Sequence, residues 1–125
     1  MPDTLSSITY STYIGGTSTD HGIHSLVDAS GNIYVTGHST STNYPIVGGY
    51  QNANAGGYDI VIAKLNPTLS SLLASTYFGG SNGASPSGND SLNSVTLDSS
   101  GNVYAAGSSS SLYPMANGGY DTVLS

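Results

Sequence analysis

The feature that most constrains the fold of this 125-residue chain is an internal repeat. Residues 11–16 (Ser-Thr-Tyr-Ile-Gly-Gly) return at 75–80, and residues 28–34 return at 98–104, with conservative changes only. The remaining pairs keep the same order: Tyr44-Pro45 with Tyr113-Pro114, and residues 56–59 with residues 118–121. Changes of length fall in polar loops. The chain therefore contains two copies of one structural unit.

Each copy is predicted to form four short β-strands. The predicted strands are rich in Tyr, Thr, Ile and Val, and Gly, Asn, Ser and Pro separate them, which is typical of turns between strands. No window has the 3.6-residue periodicity of a helix. The predicted strands are residues 8–14, 25–27, 33–36 and 58–65 in the first copy, and 72–78, 95–97, 103–106 and 120–124 in the second.

Four motifs in this order give the chain a family resemblance. They are the motif at 11–16, the run Asp-Ala-Ser-Gly-Asn-Ile-Tyr-Val-Thr-Gly at 28–37, Tyr-Pro at 44–45 and the run from Gly56 to Pro67. Together they resemble the SBBP family, a bacterial seven-bladed β-propeller repeat, over about residues 8–124. The resemblance implies a propeller in large exported or surface bacterial proteins. It implies neither a catalytic activity nor a fixed ligand.

We therefore expect an all-β fold with two four-stranded antiparallel blades of the propeller type. Residues 1–14 would be the outer strand of a preceding blade, residues 15–80 a complete blade, and residues 81–125 a second, truncated blade. Two blades cannot close a propeller ring. We expect the chain to be part of a longer polypeptide or, alternatively, to form a homo-oligomer.

Charge excludes several classes of partner. The formal net charge is -6 and Lys64 is the single basic residue. Binding to nucleic acid or to an anionic membrane surface needs several basic side chains, so neither is expected. No apolar run reaches the roughly 20 residues of a membrane span. The first residues lack a signal peptide. An extracellular or cell-surface location is expected from the family resemblance alone.

Two segments have the composition of tight hairpin turns. Each could be mistaken for a calcium loop, but such a loop needs several oxygen ligands and a distal Glu, and this chain has no Glu. We expect the Asp to bind backbone N–H groups and the Gly to adopt a positive φ. The residues are Asp28, Gly31 and Asn32 in the first copy, and Asp98, Gly101 and Asn102 in the second.

The carboxylates argue against catalysis. All seven acidic residues are Asp, and six of them occupy matching positions in the two copies. An Asp that recurs at one position of a repeat is more typical of a turn than of general acid or base chemistry. No catalytic residue and no cofactor are predicted. The pairs are Asp20 with Asp90, Asp28 with Asp98, and Asp59 with Asp121.

Residues that do not recur are the candidates for recognition. His21, His24 and His38 occur in the first copy alone, and we expect them to be solvated residues of loops or the rim rather than metal ligands. Tyr50 lies in the longest loop, close to two amide side chains. The predicted ligand-binding residues are Tyr50, Asn52 and Asn54.

Three functions remain open at this stage. The leading one is a non-catalytic scaffold or protein-interaction module, because the repeat carries no recognisable active site. The second is a carbohydrate-binding module, for which Tyr rings and amides are suitable although Trp is absent. The third is a fragment of a propeller lyase or glycosidase. The identity of a protein or glycan partner does not follow from the sequence.

Overall fold

The computed structural model describes residues 6–79 and 90–109 of the chain, and in these residues the fold is all-β. The predicted fold class is confirmed at this level. The part of the chain that is described contains no helix with the length and apolar character needed to cross a membrane. The strands are β1 (Asp20–Val27), β2 (Ile33–Ser39), β3 (Asp59–Leu65), β4 (Leu72–Phe78), β5 (Asp90–Leu97) and β6 (Val103–Ser109).

The strands form two antiparallel sheets that follow the chain order. The first sheet contains β1 to β4, each strand paired with the next, and the second is the hairpin of β5 and β6. The expectation of two four-stranded blades is therefore correct for one sheet only. That sheet combines three strands of the first copy with β4, which comes from the second copy. The other sheet has two strands among the described residues, and the strand predicted at 120–124 lies outside those residues.

The prediction of a strand at residues 8–14 is wrong. This segment has no strand structure, and its Tyr13 is fully exposed, whereas Tyr77, the equivalent residue of the second copy, is completely buried in β4. A strand exists only where a neighbouring strand accepts its backbone hydrogen bonds. None of the described strands pairs with residues 8–14, so their high β-propensity is not sufficient.

Strand β1 is longer than the predicted segment 25–27, and it contains a β-bulge. The pairing of β1 with β2 shifts register between Gly22 and His24. Gly37 lies opposite Gly22, and a Cβ atom on Gly37 would come within 1.7 Å of the His21 carbonyl oxygen. Only glycine allows this close approach. The β5–β6 hairpin has a register shift at the matching place, between Leu92 and Ser94.

One face of the first sheet is covered by the loop between β2 and β3. Tyr44 from this loop packs on Val61 and Tyr77, and all three are buried. Ile14 and Ile46 pack against the same cluster. Burial of each large apolar side chain contributes about 1.5–3 kcal/mol, so this cluster fixes the loop on the sheet.

The opposite face of the first sheet is directed toward the second. Ile60 on β3 and Leu92 on β5 are buried, and a cleft between the sheets is lined by Ile60, Ile62, Phe78 and Leu92. Alternation along β3 explains both contacts, because Val61 lies on one face and Ile60 and Ile62 lie on the other. Both faces of β3 are thus used in packing.

The loop between β2 and β3 also covers the outer edge of β4. The backbone N–H of Ser75 donates to the Val47 carbonyl (2.9 Å), and the N–H of Tyr77 donates to the Gln51 carbonyl (3.0 Å). An edge strand with free N–H and C=O groups invites pairing with another chain. We call residues 47–51 the edge loop, since they occupy this edge.

Candidate functional site

The hairpin turn between β1 and β2 is organised around the carboxylate of Asp28. Its Oδ1 accepts hydrogen bonds from the N–H groups of Ser30 (2.9 Å) and Asn32 (2.9 Å), and its Oδ2 accepts one from the Asn32 amide (3.0 Å). Gly31 has a φ of 84°, a conformation that glycine adopts without strain. The side chain therefore holds the turn from within.

The turn between β5 and β6 repeats this arrangement. Asp98 Oδ1 accepts from the N–H groups of Ser100 (2.9 Å) and Asn102 (2.8 Å), and Oδ2 accepts from the Asn102 amide (2.8 Å). Gly101 has a φ of 82°. The same atoms thus serve the same purpose in both repeats.

These hydrogen bonds favour the charged form of both carboxylates. The bond from the Asn32 side chain, with those from the Asn32 and Ser30 backbone, lowers the pKa of Asp28 below its usual 3.8. The bonds from Asn102 and Ser100 lower the pKa of Asp98 in the same way. A general acid needs a raised pKa so that it keeps its proton near neutral pH. Asp28 and Asp98 have lowered pKa values and are therefore suited to holding turns instead of donating protons.

Lys64 adds a charge interaction to the first turn alone. Its Nζ lies 3.9 Å from Asp28 Oδ2 and 5.4 Å from the centre of the Tyr34 ring. The ammonium group is partly exposed, so the ion pair contributes little to stability. The contact places the single basic residue of the chain beside the first turn.

Asp20 holds the loop that precedes β1. Its carboxylate accepts hydrogen bonds from the N–H of Gly16 (2.9 Å) and from the hydroxyl groups of Ser39 and Ser41. Ser39 and Ser41 are completely buried. The carboxylate thus joins the start of β1 to the end of β2.

Asp59 has a comparable place at the start of β3. It is buried, and its Oδ2 accepts from the N–H of Ala55 (2.7 Å) and from the Gln51 amide (3.0 Å). The Oε1 atom of the same Gln51 amide accepts a hydrogen bond from the N–H of Gly79 (3.0 Å). Asp59 and Gln51 therefore tie the edge loop to β3 and to the end of β4. Asp90 and Asp121 correspond to Asp20 and Asp59 in the second copy. Their side chains lie outside the described residues.

Tyr77 links β4 to the covering loop through its hydroxyl group. The hydroxyl donates to the Ser41 carbonyl (2.6 Å) and accepts from the N–H of Tyr44 (3.0 Å). Burial raises the pKa of Tyr44 to about 12, and it raises the pKa of Tyr77 as well. Both phenols stay neutral at physiological pH and act as structural groups.

The three residues predicted to bind a ligand do not form one site. Tyr50 is 63% exposed and lines a shallow groove with Tyr34, Ile62 and Lys64. Asn52 is also exposed. The Asn54 amide, however, donates to the carbonyls of Ser39 and Gly57, so it belongs to the loop framework and is not available to a ligand.

The histidines lie on strands instead of in loops. His21 and His24 are in β1 and His38 is in β2. The Nε2 atom of His24 lies 3.1 Å from the Asn93 carbonyl oxygen of β5. The rings of His21 and His38 are 5.0 Å apart between centroids, and the ring of Tyr58 lies 6.0 Å from the first and 4.9 Å from the second. We call His21, His38 and Tyr58 the ring cluster.

The ring cluster is the group that sequence reasoning missed. His21 and His38 are far apart in the chain and are brought together by the register of β1 and β2. Burial, and next the charge of His21, lowers the pKa of His38 below its usual value. Among residues 6–79 and 90–109, no three or more His and Asp side chains are grouped as potential metal ligands.

Comparison with known proteins identifies the repeat. The family model of the SBBP β-propeller repeat matches residues 9–45 and residues 75–114. The two matches contain both of the Asp turns and the Tyr-Pro motif of each copy. Searches of curated proteins and of solved structures gave no significant match.

Proposed function

Since the chain belongs to the SBBP family of β-propeller repeats, we propose that it is a non-catalytic propeller module acting as a scaffold or protein-interaction unit. The observation that carries this proposal is the use of the carboxylates. Asp20, Asp28, Asp59 and Asp98 each accept hydrogen bonds that hold a turn or loop.

The arrangement of these carboxylates favours a scaffold over hydrolysis. Glycosidases need two carboxyl groups directed at one substrate, one of them protonated. Asp28 and Asp98 have lowered pKa values and lie in equivalent turns of different repeats. Asp59 is buried within its own loop. The proposal therefore assigns no reaction to the chain. The lyase or glycosidase alternative would place the catalytic residues in other blades of a longer polypeptide.

We extend the proposal to an extracellular or cell-surface location. The support is the family resemblance together with a net charge of -6 and a sequence rich in Ser, Thr, Asn and Gly. Fractionation of cells that express the natural gene product tests this part. Recovery with the cell surface or the medium is expected, and recovery in the cytosol alone would contradict it.

A second candidate, carbohydrate binding, is favoured by one observation. Tyr50 presents most of its ring to solvent beside the groove that Tyr34 and Ile62 line. Sugars commonly stack on such rings, and the nearby Lys64 offers a hydrogen-bond donor. The amide of Asn54 does not add to this surface, since the loop uses it.

A glycan array separates the two candidates. The wild-type chain is compared with Tyr50→Ala and with Tyr10→Ala, which removes an exposed ring that does not line the groove. The scaffold proposal predicts no reproducible glycan binding by any of the three. A glycan signal that disappears in Tyr50→Ala and persists in Tyr10→Ala would overturn it in favour of the carbohydrate module.

A further inference from the structure

His21 and His38 face each other directly across β1 and β2. They are register partners, and their ring centroids are 5.0 Å apart with the rings inclined at 49°. His21 is exposed and His38 is half-buried. The second repeat has Ser91 and Ser108 at these positions. The framework of the blade therefore does not require a histidine pair, because the same hairpin and bulge form without it.

We propose that His21 and His38 form a two-histidine binding site for a divalent transition-metal ion, Zn²⁺ or Cu²⁺. Imidazole nitrogen suits both ions. Two imidazoles that share one Zn²⁺ through nitrogens at about 2.0–2.1 Å have ring centres roughly 5 Å apart. The observed separation of 5.0 Å meets this requirement.

The surroundings of His38 select one of its two nitrogens. Nδ1 is buried and has no hydrogen-bond partner among the described residues. A metal ion that arrives from solvent therefore binds Nε2. The Tyr58 ring packs edge-on against His38 and lies within 6.0 Å of His21. This packing restricts both imidazole rings before binding, which reduces the entropy lost when the metal ion holds them.

Water completes the coordination of this site. Asp20 and Asp59 lie on the opposite face of the sheet, since side chains alternate along a strand, and they accept hydrogen bonds from their own loops. His24 lies beyond the bulge and contacts the Asn93 carbonyl. Two protein ligands with open positions describe an exchangeable site. They do not describe a closed structural one, in which zinc has four protein ligands. One ion per chain is expected, in the first repeat.

Titration of the untagged 125-residue chain with Zn²⁺, and separately with Cu²⁺, tests the proposal. Calorimetry gives stoichiometry and affinity for the wild type and for His21→Gln, His38→Gln and His24→Gln, the last being the matched control. Loss of either proposed ligand is expected to weaken binding by at least about tenfold, the scale on which even outer groups of metal sites act. His24→Gln is expected to keep the wild-type affinity.

Nuclear magnetic resonance of the histidine rings supplies a second readout. Zn²⁺ is expected to shift the ring signals of His21 and His38, with the largest change at Nε2 of His38, and to leave His24 in place. His21 is exposed, so His21→Gln remains informative even if replacement of His38 disturbs the fold. Equal metal affinity in all four proteins, no binding by the wild type at large metal excess, or loss of binding in His24→Gln would each overturn the proposal.

Discussion

Single residues of the Asp28 turn have counterparts in the Asp98 turn, so the two can be tested as a pair. We predict that Asp28→Ala and Asp98→Ala each lower the melting temperature by a few degrees, because three hydrogen bonds to the turn are lost. The two losses should be similar, because Asp28 also contacts the partly exposed Lys64 and Asp98 also accepts a hydrogen bond from the Tyr104 hydroxyl (3.3 Å). Thermal melts followed by circular dichroism measure both.

The matched control for these variants is Asp→Asn, which keeps an oxygen acceptor and removes the charge. A smaller loss of stability than in the Ala variants is expected. Neither Ala variant should change any binding activity of the chain independently of its stability. A binding activity lost at an unchanged melting temperature would show that a functional residue had been assigned to a turn.

The same two carboxylates predict a pH dependence. Their pKa values in the folded chain are below the usual 3.8, so folding favours the charged form and the unfolded chain binds protons first. Their contribution to stability is complete above pH 3.8 and is lost as the pH falls through the lower folded values. Melting temperatures of the wild type and of Asp28→Asn/Asp98→Asn, recorded from neutral to acidic pH, should therefore converge in acid. A constant difference would contradict the assignment.

Tyr77 and Tyr13 occupy the same position of the two motif copies and provide another pair. Tyr77→Phe removes a buried hydroxyl that serves Ser41 and Tyr44, and two backbone groups lose their partner. A loss of about 1–3 kcal/mol in the free energy of unfolding is expected. Tyr13→Phe alters a fully exposed ring and should change stability little. Equal losses of unfolding free energy for Tyr77→Phe and Tyr13→Phe, measured by chemical denaturation, would contradict this difference in burial.

At the scale of elements, the edge loop protects β4. We predict that deletion of residues 48–53, which brings the first repeat close to the length of the second, promotes self-association. The deletion removes the Gln51 carbonyl that accepts from Tyr77 and the Gln51 side chain that binds Asp59, and an uncovered edge pairs with other chains. Hydrogen exchange should accelerate at the amide of Tyr77. Unchanged exchange in the deletion variant would show that the loop does not cover the edge.

The elements also show where sequence reasoning succeeds and where it stops. Turn chemistry is local, so the hairpins at Asp28 and Asp98 can be predicted from a few adjacent residues. The length of β1 cannot be predicted in this way, because it depends on pairing with β2 across a bulge. Without the register shift at Gly22, His38 would face Gly22 in place of His21. The ring cluster follows from this one-residue shift, for which the sequence has no sufficient local signal.

At the scale of the whole molecule, the repeat predicts the all-β class and the position of most strands. It does not predict which strands find partners. Residues 8–14 have the same motif as β4, yet they are outside any described sheet, and Ile8, Tyr10 and Tyr13 are exposed. Propensity is local, whereas a strand needs a neighbour. The division at residues 14 and 80 into blades stays a prediction.

The central prediction is that this chain supplies repeats to a larger propeller and does not act as a self-contained domain. Two repeats cannot surround a central axis, and the segment at residues 8–14, most of which is exposed, matches β4, a strand that completes a sheet. Such a motif offers the same kind of contact to another copy or to further repeats. With a net charge of only -6, repulsion opposes association weakly.

Light scattering on the purified 125-residue polypeptide, over a range of concentrations, tests this claim most directly. We predict particles heavier than the 12.6 kDa chain, with a mass that increases with concentration and decreases when Ile8, Tyr10 and Tyr13 are replaced by Ser. A monodisperse 12.6 kDa particle with a cooperative melt would contradict the account, because it would mean that two repeats bury a sufficient core alone.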